Sequence, residues 1–102
     1  MRYLVQVTPS FEAANKLDAG PGGPGPLFGY IAERFKPEAF YTAADRRTAY
    51  WVIDFVDAAS MVEFTHIAVT RAGAEPTLVP VLTGPEARDT IPKAAAEARR
   101  AP

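Results

Sequence analysis

The chain has 102 residues, a formal net charge of −1 and no cysteine, which suits one domain with a single core and excludes disulfides, thiolate chemistry and cysteine metal sites. Its 48% hydrophobic and 23% charged residues are the balance of a globular chain, and its near-neutral charge gives no general pull toward nucleic acid or anionic lipid. No apolar run approaches about 18 residues and no cationic leader precedes one, so the expectation is a cytoplasmic protein with no signal peptide, no membrane and no nucleic-acid partner.

Arg2 to Thr8 alternates like a strand, with Tyr3, Val5 and Val7 on one side and Leu4 and Gln6 on the other. Pro9 ends it. Ser10 is an N-cap for a short helix whose apolar stripe is Phe11, Ala14 and Leu17. Gly20-Pro21-Gly22-Gly23-Pro24-Gly25-Pro26 then interrupts regular structure. This is not a phosphate loop, because prolines have no N–H to aim and no Lys-Ser/Thr pair follows. It reads as an exposed irregular loop, with a lid as the alternative role. Leu27 to Phe35 resumes helical spacing, with Phe28, Ile31 and Phe35 on one stripe, and Lys36-Pro37 ends it.

Ala39 to Phe55 reads as two aromatic-rich strands turning at Asp45-Arg46. That centre pairs Phe40 with Trp51 and Tyr41 with Tyr50. It puts Phe40, Trp51, Ile53 and Phe55 on one face and Tyr41, Tyr50, Val52 and Asp54 on the other. Asp57 opens a helix to about Ala72, with Ser60 as the alternative start and Gly73 as the stop. Two apolar stripes, Met61-Phe64-Ala68 and Ala59-Val62-Val69, imply that it is covered on more than one flank. Pro76 to Thr83 is a last strand, and Pro80 in its middle assigns it to a sheet edge. The domain is thus expected over residues 1–85. Residues 86–102 form an Ala-rich tail, frayed or helical after Pro92 and free to dock on a partner subunit.

The order β-α-β-β-α-β is the ferredoxin-like plan, an α+β fold with sheet order 4-1-3-2 and both helices on one face. The other face, with Leu4, Gln6, Tyr41, Tyr50 and Val52, is too apolar to leave wet, so a C2 homodimer is expected. The segment Pro37–Thr83, about half the chain, carries a resemblance. Its features are Pro-Glu-Ala-Phe-Tyr, Ala-Tyr-Trp-Val-Ile-Asp-Phe-Val-Asp and Leu-Val-Pro-Val-Leu-Thr. It resembles the dimeric α/β-barrel proteins, the group with muconolactone isomerase-like and antibiotic-biosynthesis-monooxygenase-like members, and is similar to small uncharacterised bacterial proteins of that kind. The resemblance implies a small aromatic or apolar ligand held between sheet and helices or at the barrel mouth, with no cofactor.

The chemistry-bearing candidates are few. His66 is the only histidine and stands at i+3 from Glu63, the spacing of a proton-transfer pair on a helix surface and equally of a surface ion pair. One histidine is too few for the usual zinc or iron site, so no metal is expected. Tyr41 and Tyr50, with Gln6 beside them, offer flat walls and polar tips to an aromatic ligand, or pack in a dimer interface. Arg46-Arg47 suits an anion, and more simply a solvated turn. Two functions follow. One is a cofactor-independent isomerase- or monooxygenase-like enzyme using His66 and Glu63. The other is a non-catalytic dimeric binding or assembly module.

Overall fold

The computed structural model describes residues 1–102. It is an α+β structure with one four-stranded antiparallel sheet, compatible with a ferredoxin-like fold. The elements are β1 (Arg2–Val7), α1 (Phe11–Ala19), α2 (Gly25–Phe35), β2 (Ala39–Thr42) and β3 (Ala49–Asp54), followed by α3 (Ala58–Ile67), β4 (Thr77–Pro80) and α4 (Gly84–Ala98). The sheet order is β2-β3-β1-β4, which read from the β4 edge is 4-1-3-2.

Register decides which side chains meet. Phe40 lies opposite Trp51 and Tyr41 opposite Tyr50, closed by the loop Ala44 to Arg47 and the bond from Ala43 N–H to Thr48 C=O at 2.9 Å. Val5 sits between Trp51 and Leu78, and Tyr3 between Ile53 and Pro80. Because alternate residues change sides, this inner row faces the helices. Val5, Val7, Ala49, Trp51 and Ile53 from the sheet pack with Ile31, Phe55, Phe64, Ala68 and Ala72 in one core. Trp51 stacks on Phe40 at 5.4 Å and meets Phe64 edge-on at 5.5 Å. Such aromatic pairs contribute about 0.5–1.5 kcal/mol each beyond their buried area. β4 pairs only with β1, and Pro80 ends it on that edge, where a missing N–H costs least.

Helix ends follow local chemistry. Ser10 caps α1, its hydroxyl accepting from Ala13 N–H at 3.2 Å. Asp57 caps α3 and shares a reciprocal capping box with Ser60. Lys36, ahead of Pro37, is turned into the left-handed region at φ 49.

Four details depart from the sequence reading. Phe11 is not part of the α1 stripe: it is exposed, and Arg47 lies over its ring at 5.8 Å. The Gly/Pro interruption is shorter, because Gly25 and Pro26 begin α2; proline fits a first turn, where its missing N–H has no intrahelical partner anyway. The end of the third helix is a π-helical turn, Ala68–Ala72, and its second stripe is open, with Val62 and Val69 exposed. The tail helix begins at Gly84 rather than after Pro92. Thr83 and Glu86 form a capping box there, and Pro92 lies inside the helix.

Candidate functional site

Every core-facing position of a small domain need not be large. Ala14 of α1, Ala49 of β3, and Ala68 and Ala72 of the π-helical turn all face inward and are buried. Around them lie larger walls, Leu17, Leu27, Phe28, Ile31, Trp51 and Phe64. Methyl groups opposite bulky rings leave the layers incompletely filled at one end. The result is a cavity of about 340 Å³ between the sheet and the helices, lined by 20 residues of which 13 are hydrophobic. Ligand sites typically run from about 300 to 1,000 Å³ and are mostly apolar. An apolar hole of about 150 Å³ already accepts benzene, so this volume suits a two-ring body.

The cavity opens at the hairpin loop. Its polar lining consists of Asp18, Thr42, Arg46, Arg47 and Thr48, and Pro24 of the Gly/Pro loop also lines it. Asp18, Arg46 and Arg47 are exposed, so that end meets solvent, whereas Ile31, Trp51, Phe64 and Ala68 form a buried floor. Thr48 is the only buried polar residue, and its hydroxyl is matched by that of Thr8 at 2.9 Å. The charged groups at the mouth are unequal. Arg47 reaches across to α1 and donates to Asn15 Oδ1 at 2.8 Å and Asp18 Oδ2 at 3.1 Å. Arg46 donates only to its chain neighbour Asp45, with both bonds ending on Oδ2.

The candidate residues named from the sequence lie elsewhere. Tyr41, Tyr50 and Gln6 stand in one cross-strand row with Thr77, and Ala39, Val52, Leu4 and Val79 stand in the next. Both rows are on the sheet face opposite the helices, and none of these residues lines the cavity. Glu63 and His66 share the outside of α3 without bonding each other. Arg34 donates to both oxygens of Glu63, at 2.7 and 2.8 Å, and holds its carboxyl below the usual carboxylate range. The His66 Nδ1–H donates to its own helix at Val62 C=O, 2.9 Å away. Glu63 borders a smaller cleft of about 220 Å³ beside Arg34 and Asp57; His66 borders neither hollow. No three His, Asp or Glu side chains converge as a metal site, and no helix is long and apolar enough to cross a membrane.

The resemblance places a ligand between sheet and helices, but the sequence reading singled out no residue of that inner face as its lining. The signal was present in two places: alanine at core positions on three separate segments, and two arginines in the loop that closes the hairpin. Comparison with known protein families, with curated proteins and with solved structures finds no match.

Proposed function

We propose that the protein binds a small apolar or aromatic molecule in the cavity between its sheet and helices, and that it does so as a homodimer packed through the outer sheet face in the manner of a dimeric α/β barrel. The observation that supports binding is the cavity itself, about 340 Å³ and lined mainly by hydrophobic side chains. An unfilled apolar volume of that size forfeits packing that an occupant restores. The reading is of a binding site rather than a reaction centre. The lining places no paired acid and base against the cavity, and the alcohol of Thr48 is already bonded to Thr8.

Trp51 is the only tryptophan and forms part of the wall, so its emission reports occupancy. Methyl 2-naphthoate, a neutral two-ring probe, is expected to change Trp51 emission and raise the melting temperature, since a ligand of the native state stabilises it by mass action. Ala49→Leu puts a larger side chain into the same space and is expected to remove both responses while the protein stays folded. Wild-type protein that shows neither response, or an Ala49→Leu variant that binds as well as wild type, would reject the assignment.

A further inference from the structure

The charge at the cavity mouth names the kind of molecule the cavity takes; this step rests on the cavity being a binding site. The charged lining residues are Asp18, Arg46 and Arg47, two cations against one carboxylate. Arg47 and Asp18 satisfy each other at 3.1 Å, and Asn15 fixes Arg47 further at 2.8 Å. That pair ties the hairpin loop to α1 and has little left to offer a ligand. Arg46 is different. Its Nε and Nη2 both bond the single oxygen Oδ2 of Asp45, at 3.2 and 3.1 Å, and Asp45 is not part of the lining. Guanidinium groups bind carboxylates best through two parallel N–H donors, and Arg46 keeps Nη1 free of any partner within the chain.

The floor beneath it is apolar and buried, formed by Ile31, Trp51, Phe64 and Ala68. A molecule with charge spread along its length would strand that charge against these groups, and burying an unpaired charge is costly. A molecule with one anionic end and an apolar body meets both halves of the site. We propose that the cavity selects monoanionic amphiphiles, aromatic or alicyclic carboxylates of about two rings, with the ring system on Trp51 and Phe28 and the carboxylate at Arg46.

The test uses isothermal titration of the full chain with 2-naphthoate and with methyl 2-naphthoate, which share a ring system and differ in charge. Wild type is expected to prefer the carboxylate by about fivefold at low salt, the scale of one solvent-edged ion pair. The preference is expected to shrink at about 1 M salt, where screening shortens to about 3 Å. Arg46→Gln should abolish the preference. Arg34→Gln, which removes a cation bonded to Glu63 away from the cavity, should retain it. Equal binding of acid and ester by wild type, tighter binding of the ester, or a preference that survives in Arg46→Gln would each overturn the inference while leaving an apolar binding site standing. Failure of both probes to bind would reject the binding site itself, and this inference with it.

Discussion

At the scale of single residues, the most consequential polar contact away from the cavity is Glu86. Its Oε1 accepts from the Thr83 backbone N–H at 2.9 Å and from Arg2 Nη1 at 2.7 Å, while Arg2 Nε also meets Glu38 at 3.0 Å. One carboxylate therefore caps α4 and anchors it to β1. The Thr83 backbone and hydroxyl bonds are the main reasons that its carboxyl lies below the usual range, with Arg2 adding to them. The sign of the consequence follows. A carboxyl whose acidity is strengthened by folding stabilises the fold above its unfolded pKa, about 4.3, and that contribution is lost as pH falls through the lower folded value. The Thr83 amide resonance should titrate with a midpoint below about 4.3, and Glu86→Gln should remove that titration. A midpoint at or above the ordinary carboxylate value would contradict the cap. Glu63, held low by Arg34, titrates in the same direction, which is why the readout is the Thr83 amide and not global unfolding.

At the scale of elements, the glycine that ends the π-helical turn stands against the N-terminal cap of α1. Gly73 has φ +63, and a Cβ there would stand 2.7 Å from Ser10 Oγ. Ser10 caps α1 through that oxygen, and its own N–H donates to Ala72 C=O at 3.0 Å. Gly73→Ala combines left-handed strain with displacement of a cap, at a cost of about 1–3 kcal/mol. In a domain of this size it should lower the melting temperature by roughly 10 °C. Gly29, inside α2 with nothing within 4 Å of its would-be Cβ, should behave oppositely. Gly29→Ala is expected to stabilise by about 0.5–1 kcal/mol, and two thermal melts compare the pair. These same elements show how much of the fold is legible in sequence. The Asp57 cap, the Tyr41–Tyr50 pairing and the edge position of β4 depend on neighbours or on strict alternation, so the residues announce them. The start of α4 was open to reading in Thr83-x-x-Glu86, but Gly84-Pro85 looks like a break to any argument that forgets proline's place in a first turn. The π-helical turn is one extra residue in a ring of hydrogen bonds, and nothing about Ala-Val-Thr-Arg-Ala marks it. The cavity is less legible still. It arises where alanines of α1, β3 and the π-helical turn face one another, and each alone is an ordinary core residue. The Arg46-Arg47 pair was visible but directionless, because the contacts that turn Arg47 toward Asn15 and Asp18 of α1 join distant parts of the chain.

At the scale of the whole molecule, the chain leaves too much apolar surface uncovered for its size. Only 12 of 102 residues are buried. The radius of gyration is 16.7 Å, against about 13 Å for a compact chain of 100 residues. The helix α4 has no buried residue although Ala87, Ile91, Ala94 and Ala98 line one side of it. The outer sheet face is the second uncovered surface, with Tyr41 69% and Val79 44% exposed and Leu4 at its centre between Val52 and Val79. Both surfaces belong to one chain and neither covers the other. A second copy related by a twofold axis can bury sheet on sheet and give α4 a neighbour, which is why we read the protein as an isologous dimer. Sedimentation equilibrium at micromolar concentration should then give twice the chain mass. Leu4→Asp brings like charges near each other across a twofold face while leaving the inner core untouched. It should shift the mass to that of one chain and leave Trp51 emission unchanged. Wild-type protein that sediments as a single chain would leave the cavity as the property of a monomer, and a Leu4→Asp variant that remains paired would remove the outer sheet face from the interface.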